Sequence, residues 1–112
     1  MSEITTHVLD TSIGCPAAGV AVTLETREGA AGWKHLGRGA TDADGRLRNL
    51  TPEPLPAGTY RLTFDTRAYF ESRRAASFYP EVAIVFEIQD AAAKYHVPLL
   101  ISPYGYSTYR GS

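Results

Sequence analysis

The 112-residue chain is predicted to be all-β. The expected architecture is an antiparallel β-sandwich of about seven or eight short strands, with Greek-key topology and one short helix. Three observations carry this. Apolar residues recur with period two in four separate runs, turn-forming residues stand between the runs, and one segment breaks the alternation with good helix formers.

Period two places every second residue on the same face of a strand. A first short strand is expected over residues 4–10, with His7 facing away from the core if Val8 faces into it. Val20, Val22 and Leu24 then share one face, with Ala21, Thr23 and Glu25 on the other. A less regular strand is expected over 33–40. Tyr60, Leu62 and Phe64 alternate with Arg61, Thr63 and Asp65. The segment 65–75 carries helix formers behind a capping Asp65 or Thr66, and is predicted to be the helix. Val82, Ile84, Phe86 and Ile88 form the next inward face, and Tyr95, Val97, Leu99 and Ile101 the one after. A last strand is expected over 104–110. The separators Gly14-Cys15-Pro16, Asp42-Ala43-Asp44-Gly45, Pro52-Glu53-Pro54 and Pro56-Ala57-Gly58 preset or permit turn dihedrals.

This length suits a single domain over 1–112, with no internal repeat or linker. Eleven Lys and Arg against twelve Asp and Glu leave a net charge of -1, which is not the electrostatic footprint of a nucleic-acid binder or a basic membrane surface. No apolar run approaches the length of a membrane span. The lone Cys15 excludes an intrachain disulfide framework and a multi-cysteine zinc site. With an N-terminus lacking a basic stretch followed by an apolar one, it points to the reducing cytoplasm.

The chemistry must then come from scattered polar residues. His96 lies opposite Tyr95, Val97 and Leu99, yet its own face also carries Pro98 and Leu100. A strand apolar on both faces is covered on both, and for a chain this short the expected cover is a second copy of itself. That puts His96 at a subunit interface, where an imidazole can titrate near neutral pH. His35, beside Lys34, reads as solvated. The three histidines show no H-x-H or H-x3-H ligand pair, so no metal or cofactor is expected. Arg46 follows an Asp-Gly turn, a position that is often merely exposed. The stretch from Thr41 to Leu47 together with Leu55 to Leu62 also resembles carboxypeptidase regulatory-like sandwich modules, in which it is structural. The tyrosine-rich end, Tyr104-Gly105-Tyr106-Ser107-Thr108-Tyr109-Arg110-Gly111-Ser112, is expected to be packed in place rather than frayed.

Three blocks carry a resemblance along essentially the whole chain. They are Thr5-Thr6-His7-Val8-Leu9-Asp10 with Gly14-Cys15-Pro16-Ala17, then Thr41-Asp42-Ala43-Asp44-Gly45-Arg46, then Tyr95-His96-Val97-Pro98-Leu99-Leu100-Ile101-Ser102-Pro103 and the tail that follows. With them the sequence resembles the transthyretin-like (prealbumin-like) family. The terminal Tyr109-Arg110-Gly111-Ser112 places the likeness with its 5-hydroxyisourate hydrolases rather than its thyroid-hormone carriers. The resemblance implies a β-sandwich protomer in a homotetramer, a dimer of dimers with active sites at the mouths of a central channel. It implies hydrolysis of 5-hydroxyisourate to 2-oxo-4-hydroxy-4-carboxy-5-ureidoimidazoline in urate breakdown. The family's catalytic set falls on His7, Arg46, His96 and Ser112, with substrate contacts from His7, Arg46, Tyr109 and Ser112. Cys15 and Lys94 depart from the family pattern and are expected to lie away from the site. A carrier of a flat aromatic ligand is the competing reading.

Hydrolysis of a cyclic amide requires a base for water, a cation or donors for the developing oxyanion, and a proton for the leaving nitrogen. A neutral imidazole serves as base, and a nearby guanidinium helps keep it neutral while binding an anionic ring. His7 or His96 fits the first role, Arg46 the second. Ser112 would fix substrate or polarise a histidine, through its hydroxyl or a terminal carboxylate. A covalent serine lacks the G-x-S-x-G elbow and is disfavoured.

Overall fold

Two sheets face each other across a core built from the inward faces expected above. The computed structural model describes residues 3–51 and 54–112. In chain order the elements are β1 (Glu3–Asp10), β2 (Cys15–Pro16), β3 (Ala21–Glu28), β4 (Gly32–Ala40), β5 (Arg46–Leu47), β6 (Gly58–Phe64), α1 (Thr66–Ser72), β7 (Val82–Ile88), β8 (Lys94–Ser102) and β9 (Gly105–Thr108). One sheet runs β4-β3-β6-β7. The other runs β2-β1-β8-β9, with β5 also paired to β1. The chain crosses between sheets four times, after β2, β4, β5 and β7, which is the expected Greek-key traffic.

The alternation reads directly in the burial. Val20, Val22, Leu24, Tyr60, Leu62, Phe64, Val82, Ile88, Leu99 and Ile101 are buried, and Ile84 and Phe86 pack against them. On β1 the buried positions are Ile4, Thr6, Val8 and Asp10, so His7 does face outward. Thr6 tolerates burial because its hydroxyl donates to the Val97 carbonyl at 2.6 Å. Buried Asp10 accepts from the Tyr69 hydroxyl at 2.8 Å and from the Ser12 backbone N–H at 3.0 Å. These bonds tie α1 to the end of β1.

The helix is shorter than 65–75. Asp65 caps it, accepting from the Ala68 N–H at 3.1 Å. It stops at Ser72 because the chain turns back: Ala75 N–H donates to the Phe70 carbonyl at 2.9 Å, and Arg74 takes a left-handed φ of 57°. Two pairings hidden at turns, β2 and β5, raise the strand count among the described residues above the seven or eight expected. The turn read at Pro52-Glu53-Pro54 falls largely outside the described residues.

One ladder departs from the antiparallel rule. β1 and β8 run parallel, from Glu3↔Lys94 through Thr5↔His96 and His7↔Pro98 to Asp10↔Ile101. Parallel neighbours need a long crossover; here the rest of the sandwich supplies it. The consequence is that outward residues of β1 and β8 stand side by side.

Candidate active site

The outward face of the β5–β1–β8 sheet collects the residues singled out in the sequence. Arg46 is delivered by its turn. Asp42 Oδ1 accepts from the backbone N–H groups of Asp44 (2.9 Å) and Arg46 (3.0 Å). These bonds, the one from Arg46 first, hold the Asp42 carboxyl below its ordinary value of 3.8 against a smaller opposing effect of desolvation. Gly45 has φ 75°, and a Cβ there would stand 2.3 Å from the Val8 carbonyl oxygen. Only glycine lets this turn press against β1, where the Gly45 carbonyl accepts from Val8 N–H at 2.7 Å. Arg46 then pairs directly with His7.

His7 is half-buried, and its Nε2 lies 2.9 Å from the Asp44 carbonyl oxygen. A carbonyl only accepts, so this nitrogen carries the proton. His96 stands diagonally across the β1–β8 ladder, about 8 Å from His7 between Cα atoms by strand geometry. Its Nδ1 is 2.7 Å from Thr5 Oγ1. Burial, then the charges of His7 and Arg46, lower the His96 pKa from its ordinary 6.5, against an opposing pull from the Thr5 backbone. Both effects favour the neutral ring over the imidazolium.

The tail closes the arrangement. Thr108 Oγ1 donates to the Pro98 carbonyl at 2.7 Å, the Arg110 guanidinium lies 4.5 Å from the Tyr95 ring centroid, and Gly111 N–H donates to the His96 carbonyl at 2.8 Å. Gly111 packs closely against the imidazole: a Cβ there would stand 2.5 Å from His96 Cδ2. The tail backbone is thus held as expected, while the rings of Tyr104, Tyr106 and Tyr109 stay exposed on the single chain.

An open depression of about 390 Å³ is lined by Arg46, His96, Ser112, Thr5, Arg48 and Lys94, among others. Arg46, His96 and Ser112 are thus brought together, whereas His7 does not line the depression and adjoins the set only as the strand partner of Arg46. Tyr109 is not in this depression. It lines a neighbouring, more apolar one of about 380 Å³ with Phe86, Tyr95 and Arg110, and His96 is the wall the two share. Lys94, expected away from the site, is on its rim, because the parallel register sets it opposite Glu3 at the mouth. Cys15 is exposed and unpaired, and does not line the depression. His35 is exposed, as read. Among the described residues no three His, Cys, Asp or Glu side chains group as a metal-binding set. No helix among them is long and apolar enough to cross a membrane.

Sequence reasoning gave Thr5 and Gly111 no role of their own. The signal for Thr5 is its i, i+2 relation to His7, which puts both on the outward face. For Gly111 there is no local signal.

Known proteins carry the same fold and much of the sequence. The family model described as the HIUase/Transthyretin family matches residues 4–111. A 5-hydroxyisourate hydrolase of Salmonella dublin is 49% identical over 110 residues, covering 97% of this chain and 80% of that protein. The structure of Klebsiella pneumoniae 5-hydroxyisourate hydrolase superposes with a TM-score of 0.88 at 44% identity, over 100% of both chains. Sea bream transthyretin in complex with thyroxine gives a TM-score of 0.90 at 34% identity, over 96% of this chain and 93% of that one. A match along nearly its whole length, in sequence and in both sheets of the sandwich, makes the chain a member of the HIUase/Transthyretin family.

Proposed function

We propose that the chain is a 5-hydroxyisourate hydrolase, acting as a single domain without a metal or cofactor. The observation that carries this is the convergence of Arg46, His96 and Ser112, from three distant segments, on one depression whose imidazole is held neutral. The likeness to named hydrolases in Salmonella and Klebsiella supports it.

In this reading the His7–His96 pair activates a water. The water oxygen adds to the ring carbonyl, and Arg46 stabilises the oxyanion that forms. The C–N bond then breaks and opens the ring, the nitrogen takes the proton held by the imidazolium, and the carbonyl carbon stays on the product as a carboxyl group that loses the second proton of the water to solvent. Ser112 holds the ring in register. Tyr109, 60% exposed on the far side of His96, flanks the substrate and narrows the space in front of the sheet.

Arg46, Tyr109 and Ser112 are all exposed in one chain. A site that excludes water needs a cover, and both sheets end on open strands, β7 and β9. A homotetramer, a dimer of dimers with the site at a channel mouth, meets both needs. A cytoplasmic location suits the exposed thiol of Cys15.

The test is the ultraviolet absorbance of 5-hydroxyisourate generated from urate in the cuvette. The protein is expected to speed its decay well above buffer, and Arg46→Ala and His96→Ala to fold yet lose most of this rate. Light scattering is expected to give the tetramer mass. No acceleration by the pure protein overturns the reading. Thyroxine binding without turnover would favour the carrier reading, which the likeness to sea bream transthyretin supports.

A further inference from the structure

Two threonines stand side by side on β1, and their hydroxyls do different things. Thr6 faces the core and donates to a main-chain carbonyl, which is a structural bond. Thr5 faces outward, and its hydroxyl oxygen lies 2.7 Å from His96 Nδ1. The parallel register puts Thr5 directly opposite His96 and gives this contact no other purpose in the ladder. Gly111 covers the Cδ2 side of the same ring. With one side taken by Thr5 and the other by Gly111, Nε2 is the ring nitrogen left over, and among the described residues it makes no hydrogen bond.

We infer that Thr5 is a positioning residue that holds His96 with its proton on Nδ1, leaving the Nε2 lone pair turned to the depression shared with Arg46 and Ser112. A hydroxyl alone could donate or accept. The cation beside the ring decides the direction. Arg46 acts on the ring from the depression, and its positive charge disfavours an N–H pointing at it. His7 is locked the other way round, with its Nε2–H donated to the Asp44 carbonyl. The two histidines are therefore not equivalent. His96 offers a free basic nitrogen where a substrate can sit, whereas the Nε2 of His7 is already committed.

The tautomer stands independently of the function; its kinetic consequence rests on the hydrolase reading. Long-range proton–nitrogen NMR at pH 8 reports which imidazole nitrogen carries the proton. In the wild type Nδ1 of His96 is expected to be pyrrole-like and Nε2 pyridine-like. Thr5→Val, which keeps the branched shape and removes the hydroxyl, is expected to shift the proton toward Nε2. It should also lower kcat roughly tenfold to a hundredfold with KM little changed, the range for losing a group that orients a catalytic histidine. Thr5→Ser should restore both. A wild-type ring protonated on Nε2 overturns the inference, and so does a Thr5→Val chain that matches wild type in tautomer or in kcat. Should Thr5→Val fail to fold, the wild-type spectrum still decides. Should the wild type show no turnover, the hydrolase reading falls while the tautomer measurement stands.

Discussion

Replacing Gly111 with alanine adds one methyl group at the most crowded point of the site. Its carbon would stand 2.5 Å from His96 Cδ2, 3.2 Å from Cγ and 3.3 Å from Cβ. Carbon atoms settle at about 3.5–4.0 Å, so ring and tail must part by about 1 Å. The ring cannot yield freely, since a shift of that size takes the 2.7 Å contact between Thr5 and Nδ1 out of hydrogen-bond range. If the tail yields instead, Ser112 leaves with it. Either way one part of the site is misplaced by about 1 Å, which typically costs on the order of 100-fold in rate. That corresponds to about 2.7 kcal/mol of transition-state stabilisation. The fold should notice far less. What secures this stretch is the Gly111 N–H bond to the His96 carbonyl and the Arg110–Tyr95 contact. Together these are worth about 1–2.5 kcal/mol. The expected outcome is a fall of about 100-fold in kcat/KM for 5-hydroxyisourate, with Tm lowered by less than about 10 °C. Decay kinetics beside a thermal melt measure both. Wild-type turnover in Gly111→Ala would refute the claim that the tail is seated on the imidazole.

Acidity should report on His96 itself. Its pKa is lowered, by burial first and then by His7 and Arg46, so the neutral ring is retained to below pH 6.5. The acid limb of kcat/KM should therefore have its midpoint below 6.5, and Arg46→Gln should move the NMR titration of His96 upward by removing one lowering charge. The stability sign is the same: a depressed group contributes fully above its unfolded value and loses that contribution as pH falls through the folded one. A midpoint at or above 6.5 in the wild type would contradict the geometry. Far from the site, the Tyr69 hydroxyl, pushed up to about 12 chiefly by burial and then by Asp10, is a firm donor to a carboxylate only 2% exposed. Tyr69→Phe leaves Asp10 Oδ2 without this partner and should cost about 1–3 kcal/mol in urea unfolding, with little change in kcat. An unchanged urea midpoint would show that water replaces the bond.

Several local features were legible because their causes are local. Val8 faces inward, so His7 must face outward. Asp65 precedes a run of helix formers, so it caps them. The doubly apolar β8 follows from Pro98 and Leu100 standing beside His96. Other features left no trace. Leu47 is the partner of Thr6 in a two-residue strand too short to show a period. Lys94 looks like a stray surface charge until the β1–β8 register sets it at the mouth of the site.

Alternation by itself determined which face each side chain occupies, and the turn residues determined where the strands end, because both depend on neighbours a few positions away. It could not say which strands lie together. Thr5 and His96 are 91 positions apart, and their meeting depends on a parallel pairing selected by the burial of two whole sheets. Tertiary structure alone made two outward histidines unlike: one gives its Nε2–H to a turn carbonyl, and the other, between a threonine and a glycine, keeps its nitrogen free.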